Sequence, residues 1–573
     1  MNPSPLRPEP VTDPTDIWRS RYIHPGAWDV TYVPMTLPEM FAASVKRFPD
    51  RPLTDFLGAK LSYRRIAHDA ERFGAALQAQ GLVKGDRVGL FLPNVPDYLI
   101  AYYGALMAGA IIVNMSPLYS LEELTHQIEN SGARIIVTSD VPQLYGHARA
   151  LLDAGSVDRL IIGSLSGWLP VIKRVLFRWF RSTEIAAVPT GDSRIRSLMT
   201  VVGEASLPLT PVAIAPDDVA LIQYTGGTTG LPKGAMLTHA NMTANARQVR
   251  AIDPHPELPD RIVGVLPFFH VFANTCVLNR TVLSGGMIAM LPRFAAKDTL
   301  KTIQRVKATA LPGVPTMYQA LLDHPDCAKT DFRSLRVCIS GAAPLAQTLK
   351  AKFEAVTGAK LVEGYGLTEV AGVVACNPYD DPGVDGTIGQ PVPGTLVRLV
   401  NRDDPTMPPV AGEPGELVVE GPQVMAGYWE GAGRDGDFVT TPTGRALRTG
   451  DVATIDDQGY IRIVDRLKDM IAVGGFKVFP SQIERVLYRH PAVKEAIVIG
   501  IPDAYYGETP KAFVTLNDGA DGSGETLKAW LNPQLGKHER VAAVDVRMEL
   551  PKTLVGKLSR KELIAEERAK AAA

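Results

Sequence analysis

Residues 223–239 combine side chains and backbone that suit phosphate binding, since they read QYTGGTTGLPKGAMLTH. Their glycines allow positive φ and a close approach of the backbone, so that consecutive N–H groups can form a concavity for an anion. The threonine hydroxyls add hydrogen-bond donors, and the lysine adds a full positive charge. We therefore predict a cradle for a polyphosphate, formed by Thr225, Gly226, Gly227, Thr228, Thr229, Gly230 and Lys233.

The residues around this stretch favour the cradle over the alternative, a flexible surface loop of glycine and threonine. The apolar residues 219–222 before it are typical of a buried strand, and Thr238 after it is typical of a helix N-cap. Pro232 stiffens the chain just before Lys233. The spacing does not match the Walker A sequence, so the stretch predicts a different kind of phosphate loop.

Length and composition bound the partners and the compartment. A chain of 573 residues is predicted to form three or more units, and its net charge of −1 argues against nucleic acid as the main partner. The longest uncharged apolar run, residues 99–113, has 15 residues, which is too short to span a bilayer and predicts a buried helix. The N-terminus lacks an apolar leader and the four cysteines form no C-x-x-C pair, so we expect a cytoplasmic protein.

The order of predicted elements indicates a layered α/β fold. Residues 1–34 are rich in proline and predict an extended arm, whereas residues 35–203 alternate helices and strands as parallel sheets do. The same alternation continues after the phosphate stretch, and residues 392–460 predict a β-rich unit of short antiparallel strands. From residue 470 a strand–helix–strand pattern predicts a small α+β domain.

Residues 168–181 predict an amphipathic helix. Their apolar side chains recur at spacings of three and four, which places them on one helical face, with basic side chains on the other. One interpretation is a helix packed on its domain with the basic face in water. The other is a helix lying on an anionic membrane, favoured by two tryptophans and a polar face without acidic residues. The apolar set is Trp168, Val171, Ile172, Val175, Leu176, Trp179 and Phe180, and the basic set is Lys173, Arg174, Arg178 and Arg181.

Four further motifs follow the phosphate stretch in order: EGYGLTE at 363–369, RTGD at 448–451, DRLKD at 465–469 and PKTLVGK at 551–557. With residues 224–234 this set resembles the adenylate-forming superfamily, which includes acyl-CoA synthetases, luciferases and the adenylation domains of peptide synthetases. The phosphate stretch and the sequence PFFHVF at 267–272 are most similar to those of bacterial long-chain fatty-acid–CoA ligases. The resemblance covers nearly the whole chain.

The resemblance implies a two-step reaction and a two-domain organisation. A carboxylate attacks the α-phosphate of ATP to give acyl-AMP and pyrophosphate, and the thiol of CoA then converts acyl-AMP to acyl-CoA and AMP. We expect a large AMP-binding domain over residues 35–464, a hinge at 465–469 and a small mobile domain over 470–573. The small domain would rotate near Lys468 between the two steps.

The resemblance also assigns roles around the nucleotide. Residues 225–230 and Lys233 would hold the β- and γ-phosphates. Glu369 would bind Mg²⁺, a hard cation that prefers oxygen ligands, and Thr368 would contact the α-phosphate. Lys557 would stabilise charge on the carboxylate and the α-phosphate, as the principal catalytic residue. Adenine and ribose would be bound by Gly341, Ala342, Ala343, Gly364, Tyr365, Asp451 and Arg466.

The acyl and CoA sites follow from the same resemblance. His270 would border the pocket of the acyl carboxylate and position the substrate, whereas Gly474 and Gly475 would let their loop approach the pantetheine of CoA. Some long-chain members have a gating tryptophan four residues after this histidine. This sequence has Asn274 there, so the acyl chain length stays open.

The implied partners are ATP, CoA and a fatty acid of long or medium chain length. An aromatic or dicarboxylic acid, or a carrier-protein thiol in place of CoA, are the alternatives within the superfamily. A catalytically silent binding protein of this fold would be expected to have lost Lys557, Glu369 or Lys233, and all three are present. A homodimer and a peripheral position on the inner face of the membrane are compatible with these expectations.

Overall fold

The computed structural model describes residues 16–189, 191–225, 232–381, 383–410, 412–431, 436–474, 476–503, 505–517, 519–552 and 558–572. The first part of the chain alternates helices and strands. Thr36 begins its second helix with a capping box, in which the hydroxyl accepts a hydrogen bond from the backbone N–H of Glu39. The elements are α1 (Asp16–Arg21), α2 (Leu37–Arg47), β1 (Pro52–Phe56), β2 (Ala59–Ser62), α3 (Tyr63–Ala79), β3 (Arg87–Phe91), α4 (Pro96–Met107), β4 (Ile111–Asn114), α5 (Leu121–Ser131), β5 (Ile135–Ser139), α6 (Pro142–Asp153), β6 (Arg159–Gly163), α7 (Val171–Phe180), β7 (Ile195–Ser197) and α8 (Leu198–Glu204).

The second part of the chain continues the alternation and contains a π-helix, Asn274–Asn279, between two short α-helices. A 3-10 turn, Thr368–Val370, follows its last long strand. The elements are β8 (Val219–Thr225), β9 (Lys233–Thr238), α9 (His239–Ala251), β10 (Arg261–Gly264), α10 (Val271–Ala273), α11 (Arg280–Ser284), β11 (Met287–Met290), α12 (Ala296–Val306), β12 (Ala310–Gly313), α13 (Pro315–Asp323), β13 (Val337–Ser340), α14 (Gln347–Thr357), β14 (Lys360–Tyr365), β15 (Ala375–Cys376) and β16 (Gln390–Pro391).

The last part of the chain is richer in strands. A 3-10 turn, Leu467–Asp469, separates its first six strands from the remainder. The elements are β17 (Leu396–Val400), β18 (Gly415–Glu420), β19 (Gly427–Tyr428), β20 (Phe438–Thr441), β21 (Gly444–Ile455), β22 (Ile461–Arg466), β23 (Ile471–Val473), β24 (Phe476–Val478), α15 (Pro480–Leu487), β25 (Val493–Asp503), β26 (Gly507–Leu516), α16 (Gly524–Leu531), β27 (Ala543–Val546) and α17 (Arg560–Ala572).

Two large sheets form the centre of the molecule. One has the strand order β19-β9-β8-β4-β3-β5-β6-β7, and the other β16-β15-β14-β13-β12-β10-β11-β1-β2. Their central pairs are parallel, such as β4 with β8 and β13 with β14, whereas the edge pairs β8–β9 and β14–β15 are antiparallel. The predicted layered α/β fold is confirmed. The sheets also have antiparallel edge strands, which the sequence did not predict.

The β-rich unit and the small α+β unit are also confirmed. Strands β17, β18, β21, β20 and β22 pair antiparallel throughout. Beyond residue 470, β25, β26 and β23 pair antiparallel, β27 adds to β26 in parallel, and the helices α15–α17 complete the unit. The boundaries at 34, 464 and 469 stay predictions.

The apolar run 99–113 is not a single buried helix, so this prediction was wrong. The run contains the end of α4 and the strand β4, with a turn at Gly109, whose φ is 86°. Glycine takes this left-handed conformation without strain, and the β-branched residues Ile111, Ile112 and Val113 favour the strand that follows. Within the described residues, no helix is both long and apolar enough to cross a bilayer.

Candidate active site

The phosphate stretch is the connection of a β-hairpin. The strand β8 is buried as predicted, and Thr238 caps α9 as predicted, with its hydroxyl accepting from the N–H of Asn241. The sequence did not predict β9, which pairs with β8 so that Thr225 lies opposite Lys233. The hydroxyl of Thr225 donates to the carbonyl of Lys233 at 3.5 Å. The predicted cradle residues Gly226, Gly227, Thr228, Thr229 and Gly230 lie outside the described residues.

A short strand brings an aromatic residue to Lys233. Strand β19 pairs with β9, with Tyr428 opposite Ala235. The ammonium of Lys233 lies 4.7 Å from the centre of the Tyr428 ring and 3.8 Å from a carboxylate oxygen of Asp437. The hydroxyl of Tyr428 donates to Oε1 of Glu369 at 2.8 Å. One aromatic side chain therefore links the predicted phosphate-binding lysine to the predicted magnesium ligand.

Burial raises the pKa of Tyr428 above its ordinary value, and the negative charge of Glu369 adds to the shift. The phenol therefore remains a neutral donor to this carboxylate at physiological pH. Sequence reasoning did not single out Tyr428 or Asp437, because neither lies in one of the five motifs. A residue that reaches the site from a neighbouring strand distant in sequence leaves no local spacing signal.

The carboxyl end of β14 positions both ends of the site. Parallel strands of an open α/β sheet place their carboxyl ends along one edge, where ligands bind. Tyr365 is the last residue of β14, and the 3-10 turn after it carries Thr368 and Glu369. The motif needs glycine at Gly366, because a Cβ there would lie 1.6 Å from the carbonyl oxygen of Gly372. Gly364, by contrast, would make only an ordinary contact, 3.5 Å from Ile339.

Asp451 is the centre of a second polar cluster. Only 4% of it is exposed, and it lies opposite Arg466 in the register of β21 and β22. The Nε of Arg466 lies 3.0 Å from its Oδ1, and the hydroxyl of Tyr365 donates to its Oδ2. Burial raises the pKa of Tyr365 well above its ordinary value, and Asp451 adds to the shift. Since each carboxylate oxygen has two acceptor sites, Asp451 keeps capacity for a further donor.

The small-residue loop after β13 has an unusual backbone. Ala342 has a φ of 65°, a left-handed conformation that is uncommon outside glycine and clusters at functional sites. Gly341 packs against an aromatic ring, since a Cβ there would lie 3.0 Å from Phe272. Because β13 and β14 are parallel neighbours, Gly341, Ala342 and Ala343 follow the strand beside the one that ends in Tyr365.

His270 caps the short helix α10. Its Nδ1 accepts from the N–H of Phe272 at 3.2 Å, and burial lowers the pKa of His270 to about 4. A neutral imidazole with Nδ1 as acceptor carries its proton on Nε2. The side chain is therefore a neutral hydrogen-bond donor at physiological pH, which is suited to a carboxylate.

Asn274 begins the π-helix and belongs to a buried polar network. Its Oδ1 accepts from Tyr102 at 3.1 Å and from Asn279 at 2.8 Å. The hydroxyl of Tyr98 donates to Asn114 at 2.7 Å, and the amide of Asn274 lies 3.4 Å from that hydroxyl. Single π-turns of this kind are frequent at functional sites. Periodicity could not reveal the network, because its members come from α4, β4 and the π-helix.

The predicted hinge lies between the sheet of the β-rich unit and the sheet of the small α+β unit, where Lys468 is exposed in the 3-10 turn Leu467–Asp469. The predicted CoA loop lies between β23 and β24 of the small unit. Its Gly474 has a φ of 55° and donates its N–H to the carbonyl of Tyr506 at 2.8 Å. Gly475 and Lys557 lie outside the described residues. Residues on either side of Lys557 form a bridge, Lys552 with Leu558.

A magnesium ion held mainly by phosphate oxygens fits this site. In the part of the chain that the structure describes, no group of three or more His, Cys, Asp or Glu side chains forms a metal cage. Mg²⁺ commonly binds through one or two carboxylates, several waters and substrate phosphates. Glu369, which is linked to Lys233 through Tyr428, would supply such a carboxylate, so the residues present fit a nucleotide-bound ion.

Known protein families, sequences and solved structures resemble this chain. The AMP-binding enzyme family matches residues 41–429, and the AMP-binding enzyme C-terminal domain matches residues 482–557. A long-chain-fatty-acid–CoA ligase of Bacillus subtilis is 38% identical over 96% of this chain and 98% of that protein. A feruloyl-CoA synthase of Amycolatopsis is 34% identical over 88% of this chain and 94% of that protein.

Solved structures agree with the fold. The ATP-bound MatB of Rhodopseudomonas palustris has a TM-score of 0.80 and 29% identity, covering 93% of this chain and 99% of that one. The family match extends over the phosphate hairpin, the end of β14 and β19, which together carry Lys233, Tyr365, Glu369 and Tyr428. The chain belongs to the AMP-binding enzyme family.

Proposed function

We propose that the protein is an AMP-forming fatty-acid–CoA ligase acting on a long-chain or medium-chain acid. The observation that carries this proposal is that Tyr365 and Glu369 lie four residues apart, Tyr365 at the end of β14 and Glu369 in the 3-10 turn that follows it. Tyr365 donates to Asp451, which is also paired with Arg466, and this set is suited to the ribose hydroxyls. Glu369 is linked through Tyr428 to Lys233, a set suited to phosphates and their metal. Such an arrangement suits the two ends of one nucleotide.

In the first step an oxygen of the fatty carboxylate forms a bond to the α-phosphorus of ATP. The bond from that phosphorus to the bridging oxygen breaks, and pyrophosphate leaves with the electron pair. Lys233 and the threonines of the hairpin would stabilise the departing charge, and Lys557 would hold the carboxylate against the α-phosphate. Mg²⁺ at Glu369 would supply further neutralisation of phosphate charge.

In the second step the sulfur of CoA attacks the acyl carbon, and AMP leaves. The loop with Gly474 and Gly475 would lie beside the pantetheine after the small domain has rotated near Lys468. The large domain over residues 35–464 and the small domain over 470–573 are part of this proposal. The supporting observation is local: the two units are joined through the single 3-10 turn Leu467–Asp469.

The acyl substrate is proposed from the relatives and from the residues near His270. Phe268 and Phe269 are buried and Phe272 packs on Gly341, so the surroundings of the histidine are apolar. A polar network at Asn274 and the feruloyl-CoA synthase relative favour an aromatic acid as the second candidate. A dicarboxylic acid would need a cationic group in the pocket, which these aromatic residues do not offer.

A panel of acids tests the proposed function. AMP release is measured with CoA as the only thiol, using acids from acetate to oleate together with pimelate and coumarate. We expect the largest kcat/KM between medium-chain and long-chain fatty acids. A preference for coumarate would favour the second candidate. Pyrophosphate release limited to a single turnover, with no matching release of AMP, would indicate a carrier-protein thiol as the natural acceptor.

The proposed substrate also gives a reason for peripheral contact with a membrane. A long-chain acid is poorly soluble in water and concentrates in the bilayer, so an enzyme that draws it from there gains access to a larger pool. We therefore propose that the protein works in the cytoplasm and collects its substrate at the inner face of the membrane. The oligomeric state, with a homodimer as the expectation, stays a prediction.

A further inference from the structure

Helix α7 exposes its apolar face to solvent. Its members on that face are between 47% and 78% exposed, namely Val171, Ile172, Val175, Leu176, Trp179 and Phe180. At about 100° per residue, these side chains cover one half of the helix. Large contiguous apolar patches are rare on soluble proteins and usually mark a surface that meets another molecule or a membrane.

Two basic side chains of α7 lie beside the apolar half and contact the protein, Lys173 remaining exposed and Arg174 half-buried. The ammonium of Lys173 donates to the carbonyl of Leu57 at 2.6 Å, and the guanidinium of Arg174 donates to the carbonyl of Gly167 at 3.4 Å. Phe177, the one aromatic on this side, packs against the main core. Because the apolar residues of α7 are exposed, the interpretation in which this face packs on the domain was wrong, although Lys173 does stay in contact with water.

The segment that carries α7 is fixed at its base. It crosses from β6 to β7, which pair in parallel at the end of the eight-stranded sheet. The carboxylate of Asp140 accepts from Ser164 at 2.9 Å and from the N–H of Leu165 at 2.8 Å, and its carbonyl accepts from the N–H of Ala186 at 2.7 Å. Asp140 therefore binds both ends of the segment that contains α7, and this fixes the orientation of the helix on the protein.

The charge near the apolar face favours a negatively charged surface. Residues 171–180 contain Lys173, Arg174 and Arg178 and no acidic residue, in a chain whose net charge is only −1. Arg181 is paired with Glu184 at 2.5 Å, so it adds little. Two copies meeting through this face would bring their basic flanks together, which disfavours a second copy as the occupant.

We propose that α7 is the surface through which the protein docks on an anionic lipid bilayer. The apolar side chains enter the boundary between headgroups and acyl chains, and the basic flank stays at the level of the headgroups. This deepens the proposed function, on which it rests for its purpose: the docked enzyme receives its fatty acid from the bilayer. The docking itself requires no catalysis.

Co-sedimentation with vesicles tests the docking. The full-length protein is mixed with vesicles of phosphatidylglycerol and phosphatidylcholine, or of phosphatidylcholine alone, and the bound fraction is measured. We expect binding to the anionic vesicles that weakens with added salt. The double variant Trp179→Ser/Phe180→Ser should bind about tenfold more weakly or worse. Both side chains are 78% exposed, so the fold should be retained, which thermal unfolding checks.

A matched control removes exposed apolar groups elsewhere. Leu207 and Met548 are 68% and 97% exposed and lie outside α7, so Leu207→Ser/Met548→Ser should bind vesicles as the unchanged protein does. Brominated lipids supply a second readout, since they should quench the fluorescence of Trp179 and lose most of this effect in Trp179→Phe. Equal vesicle binding by the α7 variant and its control would overturn the proposal.

Two further results separate this proposal from others. If the unchanged protein is a dimer that the α7 variant dissociates, with no change in vesicle binding, the occupant is a second copy and the proposal is wrong. Activity with octanoate, a soluble acid, should be the same in both variants, whereas activity with vesicle-borne oleate should fall only in the α7 variant. If no acid is activated but α7 still controls vesicle binding, the docking stands and the proposed ligase function fails.

Discussion

Replacing Asp451 by asparagine tests the proposed ribose site. The change keeps the size of the side chain and one acceptor oxygen for the hydroxyl of Tyr365, but removes the negative charge. Arg466 then loses its partner 3.0 Å away, and the ribose hydroxyls lose a charged acceptor. ATP has both ribose hydroxyls, whereas 2′-deoxy-ATP and 3′-deoxy-ATP each lack one of them. The loss of activity in Asp451→Asn should therefore be larger with ATP than with either deoxynucleotide.

The expected size follows from the contacts. A hydrogen bond to a charged group contributes about 1.5–3 kcal/mol and one to a neutral group about 1 kcal/mol, so each ribose hydroxyl should lose about 0.5–2 kcal/mol. For two hydroxyls this corresponds to a decrease of about 5-fold to 1,000-fold in kcat/KM for ATP. Arg466 is 40% exposed, so solvent screens its pair with Asp451 and the free energy of unfolding should fall by only about 1 kcal/mol.

The assay compares ATP with 2′-deoxy-ATP and 3′-deoxy-ATP at saturating fatty acid and CoA. The unchanged protein should prefer ATP strongly, and Asp451→Asn should lose most of that preference. Asp456→Asn is the matched control, since Asp456 lies at the turn of the same hairpin and its carboxylate accepts from the backbone N–H groups of Gln458 at 3.0 Å and Tyr460 at 2.9 Å. If Asp451→Asn discriminates between the nucleotides as before, the assignment of the ribose site is wrong.

Three other changes test separate parts of the account. Lys557→Ala should abolish formation of acyl-AMP but leave transfer from supplied acyl-AMP to CoA largely intact; equal losses in both half-reactions would contradict its role. Lys233→Ala should slow pyrophosphate release by about 100-fold, as for loss of one charged stabilising group, and should affect thioester formation much less. His239 is 2% exposed and burial lowers its pKa to about 4, so the unfolded chain binds a proton that the folded one does not between about pH 6.5 and 4. The free energy of unfolding should therefore decrease as the pH is lowered through that window, by about 2 kcal/mol at pH 5. Urea unfolding of His239→Gln should show a smaller decrease.

Much of the fold could be predicted because its signals are local. The strand at 219–222 and the N-cap at Thr238 depend on residues within a few positions of each other, and both are confirmed. The run 99–113 failed because apolar composition does not distinguish a helix from a helix followed by a strand. The helix α4 is separated from the strand β4 by the turn at Gly109, whose φ is positive. The sequence does not reveal this turn, because many glycines within helices keep the helical conformation.

The sequence motifs named several candidate site residues, but they did not predict which side chains contact each other. Tyr365, Asp451 and Glu369 were named from their motifs, whereas Tyr428 was missed because pairing of β19 with β9 brings it to Lys233 from almost 200 residues away. The direction of α7 was equally hidden. Its periodicity is the same whether the apolar face packs on the core or faces the solvent, and the exposure of side chains such as Trp179 and Phe180 decides between the two orientations.

The path of one oxygen atom tests the central claim most directly. Oleate labelled with ¹⁸O in both carboxylate oxygens is incubated with ATP, Mg²⁺ and CoA, and the products are analysed by mass spectrometry. Attack of the carboxylate on the α-phosphorus, followed by thiolysis of the acyl–oxygen bond, predicts one ¹⁸O atom in each AMP and none in pyrophosphate. Unlabelled AMP, or label in orthophosphate together with ADP, would contradict the account.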